Sequence, residues 1–168
     1  SRIKQIAESL GANSEKVLKN IFVARAFNSD HQILLVDKIS EMIKNGEPIK
    51  LVIIDSLTAH FRAEFSGRGQ LADRQQRLNK YLHSLMKLAE QHNLAIYVTN
   101  QVMANPAQMF GDPTVAVGGN IVGHASTYRL YFRRGKQGSR VAKMIDSPDL
   151  PENETVFFLT NAGVVDEA

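Results

Sequence analysis

Four consecutive apolar residues, Leu51-Val52-Ile53-Ile54, end abruptly on a carboxylate, Asp55, and no other stretch of the chain narrows the fold as much. A β-branched run of this length without polar alternation predicts a central parallel strand buried on both faces, because crossover helices cover the two sides of such a sheet. The flanks agree. Upstream, Ile33, Val36, Ile39 or Ser40, and Ile43 recur at helical spacing, with Ser29 and Gln32 placed as a capping box and Asn45-Gly46 then Pro48 as the stop. Before that helix, Ile21 to Ala26 is β-rich. Downstream, Leu71, Leu78, Leu82, Leu85 and Ala89 mark an amphipathic helix, and Leu94 to Thr99 reads as the next strand. Strand, helix, strand, helix, strand predicts an α/β domain with a mostly parallel central sheet and right-handed crossovers.

The two ends break the pattern. Ile3 to Leu10 reads as a short helix with Gly11 behind it, and Ser14 to Lys19 as a second. Thr127 to Arg133, Arg140 to Ile145 and Thr155 to Leu159 are strand-like, with Gly135 to Gly138 as a hairpin turn, so antiparallel strands extend the sheet at the C-terminal end. A chain of 168 residues is long enough for one domain with a real core. No apolar run approaches the about 20 residues that span a bilayer. The chain has no cysteine, which excludes thiolate metal sites and fits a cytoplasmic location. A net charge of +3 is too small to predict nucleic-acid binding by itself, so the placement of charge has to carry any such claim.

Asp55 sits at the C-terminal end of a parallel strand, where open α/β sheets bind ligands. It reads as a Walker B carboxylate that holds hydrated magnesium beside nucleotide phosphates, and equally as a residue that caps a turn. Asn100-Gln101, at the end of the neighbouring strand, can report a terminal phosphate or can satisfy buried backbone. Val102 to Ala125, with Pro106, Gly111, Pro113, Gly118, Gly119 and Gly123, is too long for an ordinary connection and reads as a functional loop. Arg68 stands between two glycines in an earlier turn, so two loops share one edge of the sheet, an arrangement that suits a DNA strand as well as a solvated surface.

Arg129, Arg133, Arg134, Lys136, Arg140 and Lys143 cluster among aromatics, either as a phosphate-tracking surface or as charge that protects an edge strand. Gly118 and Gly123 have phosphate-loop spacing, but His124-Ala125 follow instead of Lys-Ser/Thr, so no P-loop is present in these residues. The five histidines are scattered, and His83 reads as packing or solvated. No nucleophile–base pair or carboxylate dyad supports an unrelated α/β enzyme.

In order along the chain, Ala24-Arg25-Ala26-Phe27-Asn28, Leu51 to Ser56, Ser66-Gly67-Arg68-Gly69-Gln70-Leu71, Asn100-Gln101-Val102, Gly118-Gly119-Asn120-Ile121, His124-Ala125 and Asp146 to Pro151 resemble the archaeal RadA and eukaryotic Rad-type branch of the RecA recombinase family. The resemblance covers nearly the whole chain. It implies a RecA-like core and a DNA-dependent ATPase of recombination and repair, which takes ATP and Mg2+, binds single-stranded DNA and forms a homo-oligomeric filament that exchanges strands. By the same resemblance Asp55, through water, assists magnesium with Ser56 beside it, Gln101 couples the terminal phosphate to the second DNA-binding loop, and His124 senses that phosphate across a subunit interface. Arg68 corresponds to a DNA-contacting arginine of the first loop, while Met103 to Asn120, including Gly118 and Gly119, span the second. Asp146 and Pro151 fall in the segment that caps ATP on a neighbour, and Ala24, Leu35, Ile39 and Met42 in the surface that takes a Phe-x-x-Ala peptide.

The family's P-loop, catalytic glutamate and N-terminal helical domain are expected ahead of Ser1, which reads as a cut point. Residues 1–168 are then the C-terminal portion of a RecA-like ATPase domain, unable to hydrolyse ATP by themselves. The competing reading is a non-catalytic RecA-fold module that binds peptide or DNA. Asp55, Gln101, His124 and Asp146 occurring together favour an ATPase, since a scaffold has no physical need for that set.

Overall fold

The computed structural model describes residues 1–104 and 114–167. In chain order its elements open with α1 (Arg2–Ser9), α2 (Ser14–Lys19), α3 (Ser29–Lys44), β1 (Leu51–Ile54), α4 (Ala59–Glu64), a 3-10 turn (Arg68–Gln70) and α5 (Leu71–His92). They continue with β2 (Ala95–Val98), β3 (Val102–Ala104), β4 (Thr114–Ala116), α6 (Gly119–Ala125), β5 (Arg129–Arg134), β6 (Arg140–Asp146), β7 (Glu154–Thr160) and β8 (Gly163–Val165). The α/β class is borne out, with a parallel sheet and an antiparallel sheet of C-terminal strands. Two compact units divide the chain: Arg25–Ser126, and Ser1–Ala24 with Thr127–Ala168.

The Arg25–Ser126 unit holds the hydrophobic cluster. β1 and β2 pair in parallel, Val52 beside Ile96 and Ile54 beside Val98. Val36 of α3, Phe61 of α4, and Leu78, Leu82, Leu85 and Leu88 of α5 pack with Val52. The other face of the pair is open: Leu51 and Ile53 are 53% and 63% exposed and Tyr97 46%. The expectation of burial on both faces is therefore corrected. Strand residues alternate sides whatever their chemistry, and the helices packed on this pair cover the Val52 side.

Helix α3 starts one residue earlier in register than the capping-box reading. Asn28, at φ −156° and ψ 177°, is the N-cap, and its side chain accepts from the His31 N–H at 2.7 Å. That frees buried Ser29, whose N–H donates to Glu64 Oε1 at 2.7 Å and whose hydroxyl donates to Oε2 of the same carboxylate. Gln32, one turn on, donates to the Leu57 carbonyl at 3.2 Å and to the Tyr81 hydroxyl at 3.4 Å. Phe61 stacks on Tyr81 with ring centroids 5.7 Å apart. Burial, partly offset by the Gln32 hydrogen bond, raises the Tyr81 phenol above the ordinary value of 10.0.

The β-rich run Ile21–Ala26 forms no strand. A strand exists only with a ladder partner, and the run has none among the described residues; Phe22 and Val23 stand 55% and 88% exposed. The stretch after Gln101 is also more ordered than a plain loop at its ends. β3 and β4 pair antiparallel, Val102 opposite Ala116, and α6 follows; residues 105–113 of the expected loop lie outside the described residues.

In the other unit, β5 to β8 form an antiparallel sheet in sequential order. The hairpin turn between β5 and β6 is closed by Gly135 N–H to the Ser139 carbonyl at 3.0 Å, with Gln137 and Gly138 at φ 51° and 81°, as expected around Gly135 to Gly138. β8, three residues long, was not foreseen; Gly163 within it lies against Ile6 of α1. Of the clustered cations, Arg129 pairs with Asp146 at 2.7 Å, Arg133 with Glu154 at 3.1 Å and Lys143 with Glu152 at 3.5 Å. Half the cluster is thus locally compensated, which favours edge protection over phosphate tracking. No helix among the described residues is long and apolar enough to cross a membrane.

Candidate functional site

The C-terminal ends of β1 and β2 carry a cluster of hydrogen bonds in the Arg25–Ser126 unit. Backbone bonds from Thr99 N–H to the Ile54 carbonyl at 3.0 Å and from Leu57 N–H to the Thr99 carbonyl at 2.9 Å extend the parallel pairing past the strands. That extension sets Thr99 beside Asp55, and the threonine hydroxyl donates to Asp55 Oδ1 at 2.6 Å. Asp55 is exposed, Ser56 is half-buried, and the peptide joining them is cis. The donors here are oxygens only, a carboxylate and hydroxyls, which suits a hard cation held partly through water. No group of three or more His, Cys, Asp or Glu residues able to cage a metal occurs among the described residues, so a fully protein-ligated ion does not fit, whereas a hydrated magnesium shared with phosphates does.

The next turn separates the two amides. Asn100 is spent on structure: its Oδ1 accepts from the buried Thr58 hydroxyl at 2.8 Å and from the Gln101 N–H at 3.0 Å, and its Nδ2 donates to the Val117 carbonyl at 2.6 Å. Gln101 keeps an exposed side chain, and its Oε1 accepts from Arg62 Nη1 at 2.8 Å. Its own carbonyl takes the Val117 N–H at 2.8 Å. Asn100 thus satisfies backbone and a buried hydroxyl, whereas the Gln101 side chain is exposed and meets Arg62.

Val117 leads into Gly118 at φ 95°, where a Cβ would stand 2.5 Å from Val122 Cγ2 and 3.3 Å from Leu78 Cδ2. Glycine is required there by backbone conformation and by close packing against Val122 of α6, with Leu78 of α5 also near. Gly119 and Asn120 follow, exposed, in the first turn of α6, and Met103 is 44% exposed on β3. His124, in the last turn of α6, shares a cleft of about 290 Å3 with Asn79, His83 and Met86. The structure so brings together His83 and His124, which the sequence left unconnected.

Arg68 opens the 3-10 turn, whose root is held from several sides. Arg77 lies over the Phe65 ring at 5.4 Å and pairs with Asp30, Arg74 donates to the Phe65 carbonyl at 3.4 Å, and Glu64 is tied to Ser29. Of the expected peptide surface, Leu35, Ile39 and Met42 are half-buried on α3, and Ala24 is exposed in the other unit. In that unit Asp146 Oδ2 accepts from Arg129 Nε at 3.0 Å and Nη2 at 2.7 Å. The turn before exposed Pro151 is built on Ser147, whose hydroxyl oxygen accepts from Asp149 N–H at 3.2 Å and Leu150 N–H at 2.9 Å. Tyr128 donates to Asp149, and that hydrogen bond and the negative charge hold its phenol above the usual value. Sequence reasoning missed Thr58, Arg62 and Thr99; Thr58 and Arg62 stand four apart, on one face of a helix, the one signal that pairs them.

The Rad51 family model matches residues 1–167, the whole run in which these placements occur. The chain belongs to the Rad51 family. It is 52% identical over 165 residues to the "DNA repair and recombination protein RadA" of Aeropyrum pernix, covering 98% of this chain and 51% of that protein. The chain spans about half the length of the curated relative it matches. Rad51 family membership bears out the resemblance drawn from the ordered motifs, and it makes the parallel and antiparallel sheets those of a RecA-like fold.

Proposed function

We propose that residues 1–168 are the C-terminal portion of a RecA-like ATPase core, and that the intact protein is a recombination and repair protein that binds single-stranded DNA under the control of ATP and Mg2+, forms a filament and exchanges strands. The carrying observation is a line that runs from Asp55 by a hydrogen bond to Thr99, along the chain to Asn100, and from Asn100 by hydrogen bonds to the Gln101 N–H and the Val117 carbonyl. It joins a carboxylate suited to hydrated magnesium with the base of the second loop, so a change at the phosphates has a short polar route to that loop. In this reading Asp55 and Ser56 serve the metal and phosphates, while Gln101 and His124 read the terminal phosphate. Asp146 and Pro151 close over nucleotide on a neighbouring protomer. Arg68, Met103, Gly118, Gly119 and Asn120 meet DNA. Leu35, Ile39 and Met42, spaced four and three apart on α3, receive a Phe-x-x-Ala peptide, a reading supported by that helical spacing. The protein is cytoplasmic, associated with the nucleoid if the cell is prokaryotic. The 168-residue chain by itself, without Lys-Ser/Thr behind the spaced glycines, does not hydrolyse ATP.

The test is the salt dependence of single-stranded DNA binding by the intact protein. Arg68→Ala is expected to weaken binding and to flatten the slope of log K against log salt by about 0.7, the single-strand increment for one phosphate contact. An unchanged slope removes Arg68 from the DNA interface.

A further inference from the structure

We propose that Arg62 is a positioning residue that fixes which end of the Gln101 amide is offered to the nucleotide, a proposal that rests on the reading of Gln101 above. A glutamine amide has two chemically opposite ends, a carbonyl oxygen that only accepts and an NH2 that only donates. A guanidinium only donates and is always charged. Arg62 Nη1 meets Gln101 Oε1 at 2.8 Å, so the accepting end is engaged and Nε2 is the end left to a ligand. A terminal phosphate presents only acceptor oxygens to such a side chain, and the donor end is its match. With the amide turned over, oxygen faces oxygen and the contact becomes repulsive.

The geometry that delivers Arg62 is built into α4. Thr58, 1% exposed, is the N-cap residue, and its hydroxyl holds Asn100 Oδ1 at 2.8 Å. Arg62 follows four residues later on the same face, its N–H bonded to the Thr58 carbonyl at 3.0 Å, so one short helix face addresses both amides in succession. The far end of α4 is fixed as well, through the Glu64 carboxylate on Ser29. Asn100 is polarised in the same sense, oxygen toward α4 and nitrogen toward the Val117 carbonyl. A change in what Gln101 Nε2 binds is therefore felt by a helix that runs directly into the Arg68 turn, as well as by the Val117 side.

The experiment measures single-stranded DNA affinity of the intact protein with a non-hydrolysable ATP analogue and Mg2+, and again with ADP, and takes the ratio. Arg62→Met keeps side-chain length and removes the donors; it is expected to reduce the ratio about tenfold, within the usual range of coupling between sites. Arg62→Lys, still a pure donor, retains most of it. In a Gln101→Ala background Arg62→Met changes the ratio no further, the non-additivity of two residues acting as one. Equal losses of affinity with both nucleotides would make Arg62 a DNA-contacting cation and overturn the proposal, as would the same fold-change in the Gln101→Ala background. A wild-type ratio of one overturns the reading of Gln101 itself, and this proposal with it.

Discussion

The Arg25–Ser126 unit and the unit formed by the two chain ends differ in how they bury apolar surface. In the first, α3, α4, α5, α6 and β1 contribute to one cluster centred on Phe61 and Leu57, both fully buried. In the second, Ala7 and Val141 are buried, while Leu130, Phe132, Val156, Leu159 and Val164 of the antiparallel sheet are 45% to 70% exposed. Stability in the first comes from side chains locked among several elements; in the second it comes from the ladder itself, the β5–β6 hairpin and ion pairs such as Arg133–Glu154. The contrast teaches that the elements bearing the polar network stand on a packed base, whereas the C-terminal sheet is ordered with little core of its own.

Matched truncations break or sharpen the contrast most strongly. Phe61→Ala removes a fully buried ring stacked on Tyr81 and is expected to cost about 3–5 kcal/mol. Phe132→Ala removes a ring that is half exposed and meets Phe157 edge-on at 6.0 Å, and is expected to cost about 1 kcal/mol. Urea unfolding with hydrogen exchange read separately in α5 and in β5 to β7 measures both. Equal costs would erase the distinction.

Tyr81 sharpens it on a smaller scale. Its phenol is raised by burial, so the folded state keeps the proton when the unfolded chain has begun to lose it. This contribution is fully present below the ordinary tyrosine value of 10.0 and is lost as pH rises from there through the higher folded value. Tyr81→Phe should therefore lose less stability than wild type across that alkaline range, while remaining folded at neutral pH, because Gln32 still donates to the Leu57 carbonyl. Identical alkaline curves for the two proteins would place the titration elsewhere.

Most elements were legible because their sequence period matched their environment. α5 shows its stripe of leucines, and the turn at Gly135–Gly138 carries the positive φ that a tight hairpin requires. Where the environment was missing, the reading failed. Ile21–Ala26 has the composition of a strand but no described neighbour to ladder with, and Leu51 and Ile53 have the composition of core but stand more than half exposed among the described residues. Strand β8 is too short to show a period. At the site, Asp55 and Gln101 were marked by position at strand ends, and their roles by resemblance. Thr99, Thr58 and Arg62 are ordinary residues in sequence and become informative only when chain folding sets a hydroxyl on Asp55, another on Asn100 and a guanidinium on Gln101.

In the proposed function, the polar groups behind Asp55 make DNA binding depend on the nucleotide. Fluorescence anisotropy of labelled single-stranded DNA with the intact protein, wild type against Asp55→Ala, each with Mg2+ and either a non-hydrolysable ATP analogue or ADP, tests it directly. The account predicts tighter binding with the ATP analogue for the wild type and the same affinity with both nucleotides for Asp55→Ala. A wild-type affinity indifferent to nucleotide, or an Asp55→Ala variant that keeps the full difference, would contradict it.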